Sequence, residues 1–336
     1  MQRKIVALGK SSLVITLPKD WLRSNKLTRG DMISLAIQRD QSLVIQPIFT
    51  SKEKEKIIHL NVEADEKTDS IIRGITSCYL NGYTDIKLTS GNVFSADQQK
   101  TIRSTASKLY LRIIESESRS ITLRTLLDES RASVLSSIER MHLITYSMCK
   151  DVLESLINWD DSIARSVISL EDDVDQLMFL LLRLVRLASL NPSLAKKYNL
   201  NPLDCLDFQT LVHRIERIAD HVTNIANNII TLMVSQTEIP KDIMNILIKA
   251  SEIVFSYYEK AFRSFLSKNI DLVNDIINKE KEIKELYKKI TPLPLFVKIK
   301  DSSILFPIIS IRESVMKISH YIADIAELTL DRKYSI

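Results

Sequence analysis

Glycine is distributed very unevenly along this chain of 336 residues. All five glycines lie at or before position 91, so the last 245 residues contain none. Tight hairpins and strand bulges usually use glycine, because it tolerates positive φ angles. The long remainder is therefore predicted to be helical, whereas the first part of the chain can form sheets.

From about residue 131 the apolar residues recur with a period of 3.5 to 3.6, as in amphipathic helices. The period predicts six helices, over residues 131–159, 161–190, 206–234, 240–268, 270–290 and 303–331. Proline interrupts a helix interior. The prolines of this region are expected between the helices, and they are Pro192, Pro202, Pro240, Pro292, Pro294 and Pro307.

The six predicted helices divide into two groups of three. The third and sixth helices align at an offset of 100 residues, and the second and fifth at an offset of 109, with apolar positions opposite apolar positions. Any two bundle helices share an apolar stripe, but an equal helix order with nearly equal offsets favours an internal repeat. We expect two three-helix bundles, over residues 131–235 and 239–332.

Positive charge is concentrated at the amino end. Residues 1–50 carry eight Lys or Arg against three Asp, a formal charge of +5, whereas the whole chain carries +4. The other 286 residues therefore sum to −1. A basic head on a near-neutral body indicates an anionic partner for the head.

The head is predicted to be rich in short strands. Pro18 opens a short helical turn, and the apolar runs predict strands over residues 3–8, 12–17, 32–38 and 42–47. A unit of about 47 residues cannot bury much core alone, so it is expected to complete itself by dimerisation.

Residues 51–130 are predicted to form a small α/β connecting domain. Strands are expected over 57–64 and 85–90, and helices over 65–83 and 95–111. Two further extended runs follow, and nothing in the segment has catalytic spacing. The pattern leaves open whether it is a linker or a sensory domain.

The head resembles the AbrB/SpoVT/MazE swapped-hairpin family, whose interlaced β dimers bind DNA. The likeness rests on R-K-I-V-x-L-G-K-S-S-L-V-I-T-L-P-K-D-W, then L-x-x-G-D and L-V-I-x-P, in that order. It implies a homodimer built on residues 1–48. It also implies DNA contacts by basic and hydroxyl side chains, and the matching positions are Arg3, Lys4, Lys10, Ser11, Ser12, Lys19 and Arg23. The alternative is that these charges only keep an edge-rich dimer soluble.

Two pairs of carboxylates stand at i and i+4 in the first predicted bundle. Glu171 and Asp175 lie on its second helix, and Glu216 and Asp220 on its third. Like charges at this spacing repel each other, but a cation between the two pairs would satisfy both. Oxygen ligands of this kind suit Mg, Ca, Mn or Fe. Acidic residues beside an apolar stripe are also common on a solvated helix face, so spacing alone leaves both interpretations open.

The body, over about residues 131–331, resembles the PhoU family, which governs phosphate uptake. That family has two three-helix bundles whose E-x-x-x-D motifs bind metal clusters. The likeness rests on E-R-I-A-D-H-V-T-N-I-A at 216–226, E-D-D-V-D at 171–175 and Y-I-A-D-I-A-E at 321–327. It implies a divalent or trivalent metal ion, such as Mg, Mn, Fe or Zn, bound by Glu171, Asp175, Glu216 and Asp220.

The second copy departs from this metal motif. Met316 and His320 stand at the positions of the third-helix Glu and Asp, and Lys284 stands at the position of the second-helix Asp. A lysine ammonium repels a cation, so we expect at most one metal cluster per chain. His320 and Asp324 could form a weak separate site, although a half-buried packing histidine is the more ordinary interpretation.

Joined in one chain, the two resemblances imply the arrangement of archaeal phosphate uptake regulators. The leading hypothesis is a homodimeric, DNA-binding transcriptional regulator of phosphate uptake and homeostasis, with a metal-binding sensor body. The alternative is an interaction module that docks on a phosphate transporter or sensor. In that case the head would serve mainly for dimerisation.

Other classes of protein are disfavoured. The chain has no glycine-rich nucleotide motif and no H-E-x-x-H, so we do not expect an enzyme; a di-metal hydrolase is the remaining catalytic hypothesis. Three scattered cysteines indicate a reducing compartment, and the amino end lacks the apolar run of a signal peptide. The longest apolar stretch, 177–190, is interrupted by Arg183 and Arg186. We therefore expect a cytoplasmic protein without membrane insertion.

Overall fold

The computed structural model describes residues 2–9, 12–37, 41–47, 56–235, 239–288 and 302–334. The chain separates into two compact units, Met1–Glu55 and Lys56–Ile336. In the described part of the chain, none of the helices combines the length and apolar character needed to span a membrane.

The first unit consists of two antiparallel hairpins and one short helix. Strand β1 (Val6–Leu8) pairs with β2 (Ser12–Val14), and β3 (Ile33–Ile37) pairs with β4 (Leu43–Pro47). The helix α1 (Lys19–Ser24) lies between the hairpins along the chain. The predicted strands and helical turn are confirmed, and β1 and β2 are shorter than their apolar runs.

The described apolar side chains of the first unit are largely exposed. None of its described residues is buried, and Ile5, Leu13 and Ile37 are exposed by 69%, 74% and 80%. An isolated two-stranded hairpin is at best marginally stable in water. The unit taken by itself therefore leaves its apolar surface in contact with solvent.

The second unit begins with the predicted α/β fold. Its strands are β5 (Ile57–Asn61), β6 (Asp85–Thr89), β7 (Leu111–Ser116) and β8 (Ser120–Thr125). They form one sheet in the order β5-β6-β8-β7, with β5 and β6 parallel and the other neighbours antiparallel. Helices α2 (Thr68–Leu80) and α3 (Ala96–Lys108) share a buried core with the sheet, centred on Ile75, Ile86 and Ile102.

The rest of the second unit is helical, as predicted. Its described helices are α4 (Val134–Asn158), α5 (Asp161–Leu190), α6 (Pro192–Lys197), α7 (Pro202–Ser235), α8 (Lys241–Ser267), α9 (Ile270–Lys288) and α10 (Ser302–Tyr334). Helices α4, α5 and α7 pack as one bundle, and α8, α9 and α10 pack as a second. One hydrophobic core runs through both bundles, because α7 packs against α10 and α4 against α8.

Two features of the helices correct the prediction. A short helix, α6, occupies what was expected to be a connection, because the Asn191 side chain accepts backbone N–H bonds from Ser193 and Leu194 and Pro192 fits the first helical position. Pro307 lies inside α10 rather than between helices. Only five helical residues precede it, so its ring disturbs only the first turn. Pro292 and Pro294 lie outside the described residues.

The junctions within the two bundles repeat each other. Trp159 after α4 and Lys268 after α8 both adopt the left-handed conformation, with φ of 57° and 53°. The next residues, Asp160 and Asn269, each cap the following helix by accepting a backbone N–H bond from two residues on. Both pairs are separated by 109 residues, the offset found in the sequence.

Helices α7 and α10 show the second offset as an exchanged pair of contacts. Arg214 Nε lies 2.9 Å from Asp324 Oδ2, and Asn224 Nδ2 donates to Ser314 Oγ over 2.7 Å. Ser314 and Asp324 stand 100 residues after Arg214 and Asn224. The same two positions therefore meet twice with the roles of the helices reversed, as a local two-fold relation between the bundles requires.

Candidate functional site

Three of the four predicted carboxylates meet where α5 and α7 pack. One oxygen from each of Asp175, Glu216 and Asp220 lies within 4.8 Å of the other two. The i, i+4 spacing places Glu216 and Asp220 on one face of α7, and the packing of α5 supplies Asp175. Among the residues that the structure describes, these three form the one group of three or more acidic, His or Cys side chains close enough together to hold an ion. We call it the carboxylate cluster.

Glu171 lies outside the carboxylate cluster, one turn before Asp175 on α5. The charges of the cluster still act on Glu171. Burial is the first cause that raises the pKa of Glu171, and the charges of Asp175 and Asp220 raise it further. The spacing places Glu171 and Asp175 on the same face of α5. The structure brings Asp175 nearer to α7.

The carboxylate cluster is half-buried, and its charges are crowded. Burial, followed by the neighbouring Asp220 charge, raises the pKa of Glu216 to about 7. Burial, followed by the charge of Asp175, raises the pKa of Asp220. Both shifts disfavour the ionised forms. A cation bound among these oxygens would replace the proton that they otherwise share.

Lys108, the last residue of α3, reaches the carboxylate cluster from the α/β fold. Its Nζ lies 2.6 Å from Asp175 Oδ2 and 3.7 Å from Asp172 Oδ1. Burial alone would lower the pKa of Lys108, but the hydrogen bond to Asp175 and its charge raise it. The side chain is therefore an ammonium ion at the edge of the cluster. Its 67-residue separation from Asp175 hides the contact from any spacing rule.

The three carboxylates fit a single metal ion. A Ca²⁺ ion with bonds of about 2.3 to 2.6 Å holds its oxygens no more than about 5 Å apart, and the oxygens of the cluster lie within 4.8 Å of one another. A smaller ion such as Mg²⁺, with bonds of about 2.0 to 2.1 Å, would draw the carboxylates slightly closer together. Arg217 Nη1 lies 3.4 Å from Asp220 Oδ2, on an exposed side chain that can move aside. His221 instead faces α10, with Nδ1 3.4 Å from Ser314 Oγ.

The second bundle presents different groups at the corresponding places. Asp324 is engaged by Arg214, so it does not stand open beside His320 as a separate site would require. His320 is half-buried, in line with its interpretation as a packing residue. Glu280 on α9 stands 109 residues after Glu171, at the equivalent position of the motif, and its side chain lies outside the described residues.

The candidate DNA-binding residues of the first unit lie on its surface. Lys19 and Arg23 project from one face of α1, since they stand at i and i+4. Lys10 and Ser11 lie outside the described residues. The candidates that the structure describes are all exposed, namely Arg3, Lys4, Ser12, Lys19 and Arg23.

Comparison with family models gives two matches. The PhoU domain matches residues 138–229 and again 247–329, which together are just over half of the chain. The chain belongs to the PhoU family. The two PhoU matches fall one on each bundle, which confirms the internal repeat. Residues 6–53 match the family described as antidote-toxin recognition MazE, bacterial antitoxin. Neither matched family is described as an enzyme family.

One solved structure has a fold similar to that of this chain, and a second is compared below. A phosphate transport system regulatory protein PhoU from Streptococcus pneumoniae is similar with a TM-score of 0.52 and 15% identity, over 60% of this chain and 94% of that one. PhoU from Pseudomonas aeruginosa has a TM-score of 0.49 and 19% identity, over 59% of this chain and 94% of that one. No curated protein matches the chain.

Arg183 has a structural role in this PhoU body that the sequence analysis missed. The side chain is fully buried, with Nε 2.8 Å and Nη2 2.6 Å from Glu129 Oε1. Its Nη1 donates to the carbonyl oxygens of Tyr79 and Tyr83. Arg183 thus fastens the α/β fold onto α5. The available signal was a charge inside the apolar stretch 177–190, because a buried charge needs a partner.

Proposed function

We propose that this PhoU-family protein is a homodimeric DNA-binding regulator of phosphate uptake. The MazE-like unit would bind operator DNA, and the body would sense phosphate status through a metal ion at Asp175, Glu216 and Asp220, with Glu171 beside them. The observation that carries the proposal is the union of a basic MazE-like unit and a PhoU body whose carboxylates converge. The S. pneumoniae relative, named as a phosphate transport regulator, supports the link to phosphate.

The surface of the first unit supports the dimeric, DNA-binding part of the proposal. Its hairpins expose large apolar side chains such as Leu13, Leu35 and Ile37, which a second copy of the unit would cover. Two copies would also place two sets of exposed Lys and Arg on one assembly. Phosphate contacts by such side chains supply most of the sequence-independent affinity for DNA.

Charge variants test the DNA interface. We expect the double change Arg3→Gln and Lys4→Gln to weaken binding to duplex DNA from the protein's own upstream region at least tenfold. The matched control is Lys26→Gln with Arg29→Gln, which removes the same charge from exposed positions of the same unit. If both double variants lose the same DNA affinity, the loss reflects only the net charge of the unit and not a specific contact by Arg3 and Lys4. If neither the wild type nor the variants bind DNA, while the wild type still binds transporter components, the protein is a docking module instead.

Metal content tests the sensing part. We expect the wild-type protein, purified without chelators, to carry a divalent or trivalent ion, and the double change Glu216→Ala with Asp220→Ala to lose it. Glu139→Ala with Asp173→Ala is the control, because it removes two exposed carboxylates of the same bundle outside the cluster. Circular dichroism checks that all variants fold. A wild-type protein that binds none of Mg²⁺, Mn²⁺, Fe²⁺, Fe³⁺ or Zn²⁺ would contradict metal sensing.

A further inference from the structure

We infer that Lys108 is a built-in competitor for the cation position of the carboxylate cluster, so that the α/β fold sets the metal affinity of the helical body. The inference rests on the metal site of the proposed function and adds its regulation. It predicts that a metal ion enters the cluster by displacing the Lys108 ammonium from Asp175.

The ammonium group of Lys108 lies close to where a metal ion would bond to Asp175. Lys108 Nζ lies 2.6 Å from Asp175 Oδ2, a distance typical of a strong charge-assisted hydrogen bond. A metal ion bonded to that carboxylate would lie at about 2.0 to 2.6 Å from its oxygen. Two cations held by the same oxygen at such distances repel each other strongly. The lysine and a metal ion therefore compete for Asp175 Oδ2.

The Lys108 side chain is free to leave the carboxylate cluster. The side chain is 38% exposed, so the ammonium can swing into solvent without any helix moving. The α/β fold remains attached to α5 by other contacts, because Arg183 is buried beneath it and Arg186 Nη2 donates to Asn81 Oδ1 over 2.9 Å. Phe179 also packs against the cores of both the α/β fold and the bundles. Displacing Lys108 therefore opens the cluster without undocking the fold.

The second bundle also has a lysine at the corresponding place in its motif. Lys284 stands at the position equivalent to Asp175, so there the lysine is part of the helix that would otherwise supply the carboxylate. In the first bundle the lysine comes from a different element, α3, and contacts the acidic position from outside. A removable lysine allows the affinity of the first site to be adjusted, whereas Lys284 replaces a ligand outright.

The test is Mn²⁺ binding to the full-length protein, measured by titration calorimetry at one pH. We expect Lys108→Met to bind Mn²⁺ about 3- to 10-fold more tightly than wild type, in keeping with the modest strength of a partly exposed ion pair. Lys108→Arg, which keeps the charge, should remain close to wild type. Lys100→Met removes an exposed lysine from the same helix and should leave the affinity unchanged.

The outcomes separate the inference from the proposed function. Equal Mn²⁺ affinities in wild type, Lys108→Met and Lys100→Met would overturn the inference and leave the metal site standing. Absence of Mn²⁺ binding in every protein would overturn both. As an independent readout, saturating Mn²⁺ should increase the acetylation rate of Lys108, followed by mass spectrometry, while Lys100 stays constant. A Lys108 rate unaffected by Mn²⁺ would also contradict displacement.

Discussion

Replacing Arg183 by methionine should loosen the α/β fold from the helical body. The guanidinium is fully buried and lies within 2.8 Å of Glu129 Oε1 through both Nε and Nη2. It also donates to the carbonyl oxygens of Tyr79 and Tyr83 at the end of α2. Methionine fills much of the same space but leaves the Glu129 carboxylate and both carbonyl groups without this donor.

The expected loss of stability depends on the Glu129 carboxylate, which stays buried when Arg183 is replaced. Removing one partner of a buried ion pair costs about 3–5 kcal/mol, mostly because the other charge is left uncompensated. The double change Arg183→Met with Glu129→Leu removes that charge as well. It should cost only about 1–2 kcal/mol, since two carbonyl groups still lose a donor. The double variant is therefore predicted to be more stable than the single variant.

Native-state hydrogen exchange is the suitable assay, because a chain of several folded parts does not unfold in one step. Amides of β6 and α2 should exchange through openings whose free energy falls by the stated amounts, while amides of α8 should be nearly unchanged. Glu139→Leu, at an exposed position of α4, is the control for loss of a carboxylate. A double variant as unstable as Arg183→Met would refute the argument from the unpaired charge.

Three further changes test local features. Gly82→Ala should destabilise the α/β fold by about 1–3 kcal/mol in thermal unfolding, because φ is +82° and the added Cβ would lie 2.5 Å from Leu187 Cδ2; an unchanged midpoint would contradict this. Lys268→Gly should stabilise the second bundle by about 0.5–1 kcal/mol in urea unfolding, since glycine adopts the φ of 53° found at Lys268 without a steric penalty. A variant less stable than wild type would contradict this. In metal-free protein, the contribution of Glu216 to stability should fall as the pH rises from about 4.5 to 7, because Glu216 binds a proton more tightly in the folded state, with a pKa of about 7, than in the unfolded state. Glu216→Gln should therefore gain stability relative to wild type as the pH rises over this range, and a difference between the two proteins that does not change with pH would contradict the assigned burial.

Local patterns were enough to predict most of the fold. Alternating apolar runs predicted the strands, and helical periodicity predicted the bundles, because both depend on residues close in the chain. The offset of 109 residues found in the sequence recurs as the matching caps after α4 and α8, and the offset of 100 recurs in the contacts between α7 and α10. Within the described ranges, the helix that was not predicted, α6, depends on the Asn191 cap, whose effect outweighed the expectation of a loop.

The candidate site was predictable only in part. Glu216 and Asp220 share a helix face by spacing alone, but choosing Asp175 rather than Glu171 requires the packing of α5 against α7. The contact of Lys108 with Asp175 joins residues 67 apart, and that of Arg183 with Tyr79 joins residues 104 apart. Such pairs are set by how the α/β fold docks on α5, and no periodicity in one sequence encodes that docking.

Salt-dependent DNA binding tests the central claim most directly. Fluorescence anisotropy of the full-length protein with a labelled duplex from its own upstream region would be measured between about 50 and 200 mM salt. If each protomer of a dimer neutralises about three phosphates, the affinity should fall about a thousandfold over this range, with a log–log slope near −5. No binding, or an affinity that does not change with salt, would contradict the account of the protein as a DNA-binding regulator.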